Sequence, residues 1–287
     1  MQSSYRGRLA PSPTGFLHAG HACTFWVAQE RASAAGGTLI LRNEDLDPAR
    51  SRSEFVTAMI EDLHWFGLRW QEGPDCGGPF APYSQSQRRG LHERTFERLK
   101  SKGLVYPCRC SRQDVLRAAQ APHAGDDEPV YPGTCRPKAG AEGAIKDVSG
   151  SGPANWRFRV PANEAIEFED GFFGKQRFVA GRDFGDFVVW RQDGVPSYQL
   201  AVVADDAAMQ ITEVVRGADL LLSTARQLLL YRALELPSPA FYHCRLFTDK
   251  SGIRLAKRDA ALSLRTLRGQ GFTPETVRQN CGNMLRE

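Results

Sequence analysis

Short apolar runs alternate with longer stretches of helical period, and that alternation sets the expected order of elements. Residues 8–10 read as the end of a strand. Pro11 and Pro13 deny it further ladder hydrogen bonds and force an extended exit. Residues 21–35 follow as a helix stopped by Gly36-Gly37. Residues 38–42 are a continuous apolar run ending in Arg42, the pattern of a parallel strand buried on both faces. Ser53 stands where a helix cap is expected, and Phe55, Val56, Met59, Ile60, Leu63 and Phe66 keep the helical period up to Gly67. Residues 83–86 lead into a helix reaching about Lys102. Later, β signals lie at 156–160, 165–169 and 178–179. Residues 186–191 read as a strand with Asp193-Gly194 as its hairpin turn, and 196–201 as a helix start. Residues 211–217 read as a buried strand, followed by a helix capped by Ser223 and ending near Leu234, and 241–247 as the last strand. About two short helices close the chain. The order predicts an α/β fold: two halves of a doubly wound parallel sheet with a small mixed element between them.

Composition narrows the classes. A chain of 287 residues with 41% hydrophobic and 24% charged residues is ordinary globular material. No apolar run approaches the roughly 18 residues of a membrane helix, and the first residues lack the apolar segment of a signal peptide. The expectation is a cytoplasmic, monomeric protein without a membrane partner. The net charge of +4 permits a nucleic-acid partner without requiring one. Only seven of the 37 basic residues are Lys. That Arg bias suits phosphate contacts and equally fits a GC-rich genome. Seven cysteines, an odd count, argue against a disulfide framework and for reduced thiols or a metal site.

Four stretches carry candidate chemistry. Residues 8–21 run strand, Pro/Gly turn, helix start, the geometry in which free backbone N–H groups and the helix dipole face a phosphate. There, His18 and His21 share one face of the first turn and can hydrogen-bond phosphate oxygens; on their own they also fit a polar helix start. Residues 43–48, rich in carboxylates, follow a buried strand, where α/β sheets place their ligands. Cys108, Cys110 and Cys135, two of them one residue apart, make a plausible zinc cluster. His123 is the chemically conventional fourth ligand. The Gly- and charge-rich stretch 249–258 reads as a mobile, exposed basic loop.

The run Pro-Ser-Pro-Thr-Gly-Phe-Leu-His-Ala-Gly-His, residues 11–21, resembles the HIGH signature of class I aminoacyl-tRNA synthetases in its glutamyl-tRNA synthetase form, with Ala19 in place of the usual Ile. Other segments match the same family in order. Residues 41–47 resemble LRIEDTD with Asn43 replacing Ile, 83–88 resemble YxQSxR, 198–201 YQLA, and 216–220 RGxDL. The loop 249–258 resembles KMSKS; Arg254 and Ala256 depart from it and Lys257 keeps its second Lys. The pattern C-x-C…Y-x-x-x-C resembles the zinc element of short glutamyl-queuosine tRNA(Asp) synthetases, in which a Tyr completes the site. The resemblance spans nearly the whole chain.

What the resemblance implies is specific. The fold would be a Rossmann-type doubly wound sheet with a small zinc-binding insertion and a short C-terminal helical segment. Its parts would be residues 1–104 and 181–247 as halves of the catalytic domain, 105–180 as the zinc-binding and small mixed insertion, and 248–287 as the KMSKS-like loop and terminal helices. Glutamate would be activated with ATP and Mg²⁺ to glutamyl-adenylate. His18, His21 and Lys257 would be catalytic and bind ATP. Arg8, Leu9, Ala10, Pro11, Ser12, Glu44, Tyr198 and Arg216 would hold glutamate, Glu44 taking the α-ammonium and the two arginines the side-chain carboxylate. Cys108, Cys110, Tyr131 and Cys135 would bind a structural zinc ion, His123 being the alternative to Tyr131. The glutamyl acceptor would be queuosine in the anticodon stem-loop of tRNA(Asp), since no anticodon-binding domain follows the loop, and activation would need no tRNA. A truncated glutamyl-tRNA synthetase charging the 3′ end, and a non-catalytic paralogue binding tRNA or glutamate, are the alternatives.

Overall fold

The computed structural model describes residues 4–118, 130–138, 153–246 and 263–285. Strand β1 (Arg6–Leu9) pairs in parallel with β2 (Thr38–Leu41) through helix α1 (Ala19–Ala34). Gly36, at φ +59°, reverses the chain after α1. Helix α2 (Ser53–Phe66) ends on Gly67 at φ +100°, where the Gly67 and Leu68 N–H groups donate to the His64 and Leu63 carbonyls; only glycine takes that left-handed turn cheaply. Helix α3 (Arg89–Ser101) is entered through a 3₁₀ turn, Gln85–Arg88.

Then come β3 (Val105–Cys108), α4 (Arg112–Ala118), β4 (Asn155–Phe158), and the antiparallel hairpin of β5 (Ala165–Asp170) and β6 (Gly174–Val179). Ser111 and Asp114 cap α4 reciprocally: Ser111 Oγ accepts from the Asp114 N–H and Asp114 from the Ser111 N–H. After β7 (Phe187–Trp190), Ser197 Oγ accepts from the Leu200 N–H and starts α5 (Tyr198–Ala208). The chain ends with β8 (Glu213–Gly217), α6 (Leu221–Ala233), β9 (Ala240–Cys244), α7 (Leu264–Gly269) and α8 (Pro274–Leu285).

β8 and β9 pair in parallel, β5 joins the free edge of β9 in parallel, and β6 closes that side. At the opposite edge, β1 reaches β8: the Thr212 N–H donates to the Arg6 carbonyl, and Arg8 Nη1 donates to the Val215 carbonyl. Alternation along these strands feeds two cores. Ile40, Val214 and Phe241 point into one, with Leu200, Val203, Leu229 and Leu230. Leu9, Leu39, Leu41, Val215 and Cys244 point into the other, with Ala22, Phe25, Leu63 and Phe66. Helices therefore cover both faces of a parallel sheet, as the apolar runs predict. A separate antiparallel sheet, β3-β4-β7, lies beside it.

Several boundaries differ from the sequence expectation. Arg52, not Ser53, is the cap position of α2, and Ser53 is its first helical residue. Ser223 lies inside α6, which a 3₁₀ turn at Ala218–Leu220 has already begun, and its hydroxyl accepts from Gln199 Nε2 instead. The last strand stops at Cys244 because its partner β8 stops at Gly217. β7 pairs antiparallel with β4 and β5 pairs parallel with β9, so strand pairing joins residues on both sides of position 180.

Candidate functional site

The site lies at the carboxyl ends of β1, β2, β8 and β9. Register places Arg8 opposite Ile40 and Arg216 opposite His243. Period two then puts Arg8, Arg42, Arg216 and His243 on the face that carries Ile40, Val214 and Phe241. That face packs on α5 and α6, and these helices supply the partners.

Arg42 is 0% exposed and is held by Asp206 of α5 at 2.5 Å and by Glu44 at 2.9 Å. Arg8 is also buried, 3.7 Å from Asp206 through Nε. Burial lowers the pKa of the Arg8 guanidinium, with Asp206 opposing the shift. Burial likewise raises that of the Glu44 carboxyl, against the pull of Arg42. Pro11 tethers the turn to this cluster, its carbonyl accepting from the Glu44 N–H. Leu9 is core, Ala10 half-buried and Ser12 exposed. A Cβ built on Gly15 would meet no protein atom within 4 Å, which leaves the mouth of the turn open. His18 is the cap position of α1, and its carbonyl accepts from the His21 and Ala22 N–H groups. His18 is half-buried and His21 exposed. Ser263 pairs with His18 through an isolated bridge. Lys257, with the whole of 249–258, lies outside the described residues, as does His123.

Arg216 is 5% exposed, and no carboxylate among the described residues forms an ion pair with it. Its Nε donates to His243 Nε2 at 3.1 Å, Nη2 to Thr224 Oγ1 at 2.6 Å, and Nη1 to Gln227 Oε1 at 2.9 Å and the Tyr198 hydroxyl at 3.3 Å. Tyr198 is 36% exposed and forms the rim. A buried guanidinium surrounded by neutral acceptors is a site for an incoming anion.

At the second cluster, the sulfur atoms of Cys108, Cys110 and Cys135 lie within 4.8 Å of one another. The Tyr131 hydroxyl stands 3.4 Å from Cys108 Sγ and 3.8 Å from Cys110 Sγ, and accepts from the Cys135 N–H at 2.8 Å. Three thiols and a phenol converging on one point are a four-donor set that could hold a metal ion. Arg157 donates to Cys108 Sγ at 3.2 Å and stacks on the Tyr131 ring at 3.9 Å, which offsets thiolate charge. Burial pushes the Cys110 thiol up to about 11, against the hydrogen bond from the Tyr131 hydroxyl.

Arg8, Glu44, Tyr198 and Arg216, expected from sequence, thus come together. The sequence reading missed Arg42, Asp206, Thr224, Gln227, His243 and Asp170. One signal was available: Asp205-Asp206 interrupts an apolar stretch of α5, and both carboxylates are buried.

A parallel sheet wrapped on both faces, with an anion-seeking cluster beyond its strand ends and a Pro/Gly turn opening a helix beside it, defines the catalytic domain of an α/β enzyme. The chain belongs to the family of class I tRNA synthetases (E and Q), catalytic domain, whose model matches residues 4–285. It is a ligase of the aminoacyl-tRNA synthetase class. It is 51% identical to a glutamyl-Q tRNA(Asp) synthetase of Symbiobacterium thermophilum, over 94% of this chain and 83% of that protein. It is 43% identical to glutamate–tRNA ligase 2 of Nitrosococcus oceani, over 96% of this chain and 58% of the relative. A solved glutamate-tRNA synthetase from Elizabethkingia anophelis superposes with a TM-score of 0.77 at 31% identity, covering 94% of this chain; the chain spans about half, 54%, of that structure. Among the described residues no helix is long and apolar enough to cross a membrane.

Proposed function

We propose that this chain activates glutamate with ATP and transfers the glutamyl group to queuosine in the anticodon of tRNA(Asp). The observation that carries the reading is its similarity to glutamyl-Q tRNA(Asp) synthetases, at 51% and 49% identity over 83% of each of two such relatives. The site chemistry supports its first half. The glutamate side-chain carboxylate meets Arg216, Tyr198 and Arg8, while Glu44 takes the α-ammonium. A carboxylate accepts from every donor it meets, whereas an amide turns an N–H toward a guanidinium; the pair therefore selects glutamate over glutamine.

The α-carboxylate oxygen of glutamate attacks the α-phosphorus of ATP, and pyrophosphate leaves. With no covalent enzyme intermediate, the protein contributes positioning and charge stabilisation. His18 and His21 serve the phosphates from the start of α1, and Ser12 borders the substrate on the open turn. Lys257 serves the triphosphate. The bridge between His18 and Ser263 supports this role, because it returns the chain that follows Lys257 to the side of the first motif. Mg²⁺ accompanies ATP as part of the substrate. A hydroxyl of the queuosine cyclopentenediol then attacks the acyl carbon and AMP leaves. The thiols of Cys108, Cys110 and Cys135 with the Tyr131 phenol would hold a zinc ion, which would supply a structural cross-link between the end of β3 and the 131–135 turn.

The test is to charge bulk tRNA with labelled glutamate, digest it with a guanosine-specific nuclease and locate the label by mass. Label on the queuosine-containing fragment is expected. Label on the 3′-terminal adenosine, or equal charging of tRNA from cells that lack queuosine, replaces the reading with a 3′-end glutamyl-tRNA synthetase. Absence of glutamate-dependent pyrophosphate exchange both with and without tRNA makes it a binding protein instead.

A further inference from the structure

We propose that His243 and Asp170 are positioning residues for Arg216, a buried carboxylate–imidazole pair that fixes the guanidinium in the orientation that receives the substrate carboxylate. The inference rests on the reading of Arg216 as the clamp for the glutamate side chain.

The strands dictate the pairing. Arg216 of β8 and His243 of β9 are register partners on one face of the sheet, and Asp170 ends β5, the next strand over. Arg216 Nε always carries its proton and donates to His243 Nε2 at 3.1 Å. That ring nitrogen must therefore present a lone pair, so the ring proton sits on Nδ1. Asp170 Oδ2 lies 2.6 Å from Nδ1 and accepts it. The carboxylate is itself pinned, because Oδ1 accepts the backbone N–H groups of Phe172 and Phe173 at 3.0 and 2.9 Å. Asp170 thus selects the tautomer, and the tautomer aims the lone pair at Arg216. Burial, reinforced by the Arg216 charge, lowers the ring to about 4 and keeps it neutral.

The donor count then leaves room for a ligand. Of five guanidinium N–H groups, Nε is taken by His243, one on Nη2 by Thr224, and two on Nη1 by Gln227 and Tyr198. The second N–H of Nη2 has no partner among the described residues. The pair on Nε, together with Thr224, Gln227 and Tyr198 on the Nη atoms, keeps the group from turning, so this N–H is the donor left for an incoming carboxylate. A guanidinium held in one orientation keeps this donor on the substrate carboxylate, whereas one free to turn loses that alignment.

Three substitutions separate positioning from bulk. His243→Phe keeps a ring and removes the acceptor. His243→Gln sets an amide oxygen close to where Nε2 was. Asp170→Asn keeps an oxygen for the Phe172 and Phe173 N–H groups but can offer its amide N–H to Nδ1, which drives the ring proton to Nε2, against Arg216. In glutamate-dependent pyrophosphate exchange, His243→Phe and Asp170→Asn are expected to raise the KM for glutamate about tenfold or more, with the KM for ATP nearly unchanged, a scale set by hydrogen bonds to charged groups. They should also narrow the preference for glutamate over glutamine, and His243→Gln should recover most of both. Arg216→Lys is measured alongside. If it raises the glutamate KM strongly while folded His243→Phe does not, the positioning role is overturned and the clamp stands. If Arg216→Lys leaves the glutamate KM unchanged, the clamp fails and the positioning role with it. Nitrogen-15 NMR of histidine-labelled wild-type protein needs no folded variant: an Nδ1–H His243 at neutral pH is the expected result, and an Nε2–H ring overturns the proposal.

Discussion

Asp206 serves two guanidinium groups at once, 2.5 Å from Arg42 and 3.7 Å from Arg8, and all three side chains are buried. Asp206→Asn keeps the shape and removes the charge, leaving two buried cations to share Glu44. The variant is expected to lose about 3 kcal/mol of stability in urea unfolding, as when one partner of a buried ion pair is removed. An unfolding midpoint equal to that of wild type would show that water already screens the cluster. His243 gives a pH prediction. Its folded-state value of about 4 lies below the ordinary 6.5, through burial first and then the Arg216 charge. Between those two values the unfolded chain binds the extra proton, so stability rises with pH. The contribution is complete above 6.5 and is lost as pH falls toward 4. Although burial works against it, the Asp170 carboxylate is held below its usual range by the Phe173 N–H and His243, and stays ionised through most of that window. His243→Gln should flatten the stability profile between pH 6.5 and 4 by up to about 1.4 kcal/mol per pH unit; parallel profiles would mean that the ring titrates normally. At this scale the sequence was half legible. Arg8, Glu44, Tyr198 and Arg216 stand in segments that resemble the motifs of a known family, and that resemblance singles them out. Thr224 and His243 act only through partners on other elements, so nothing local marks them; Asp206 shows locally only as one of two carboxylates inside an apolar stretch of α5.

Among the elements, α5 matters most, because it turns two adjacent carboxylates to opposite duties. Asp206 meets Arg8 and Arg42. Asp205 takes Arg88 Nε at 2.6 Å, Gln85 Nε2 at 2.8 Å and the His92 ring at 3.1 Å, locking the entry to α3 against α5. The small sheet β3-β4-β7 packs Val105, Phe158, Phe187 and Val189 into the larger core, while Tyr106, Cys108, Val115 and Tyr131 form a cluster too small to hold the 131–135 turn by burial alone. A metal cross-link is the expected remedy. Purified protein should contain about one zinc per chain, since one cluster of three thiols with an adjacent phenol is present among the described residues. Cys108→Ser with Cys135→Ser should abolish it and lower the melting temperature, and Tyr131→Phe should weaken retention against a chelator. Fully folded, metal-free wild-type protein would rule the ion out. Retention unaffected by Tyr131→Phe but lost in His123→Ala would move the fourth ligand to His123. The sequence showed where these strands lie, but not that β7 pairs with β4 or that the β5–β6 hairpin completes the main sheet. Pairing depends on which edges remain open after the parallel core forms, and composition carries no record of edges. Helix starts were misplaced at Ser53 and Ser223 for a related reason: a capping residue type is visible, but whether the preceding turn has already begun the helix is not.

At the scale of the molecule, the fold was legible because one physical fact repeats along it. Parallel strands buried on both faces must be apolar at consecutive positions, and a charged residue survives there only where the strand runs out. Arg42 and Arg216 are such residues, and the face they share is the one covered by α5 and α6. The result is a buried cluster, the proposed glutamate site, whose side chains already hold one another. Arg216 already has four side-chain partners, Arg42 has two carboxylates, and Glu44 is tied to Pro11. None of these contacts waits for RNA. A site so preorganised loses little by ordering on substrate binding, so adenylate formation should proceed in the absence of tRNA. Glutamate-dependent exchange of labelled pyrophosphate into ATP, measured on nuclease-treated protein, is expected to be within about tenfold of the rate with tRNA present, less than the factor a misassembled site costs. Exchange that stays at background until tRNA is added would show that RNA completes the pocket, and that the hydrogen bonds around Arg216 describe a resting arrangement which tRNA must rearrange before the carboxylate can enter.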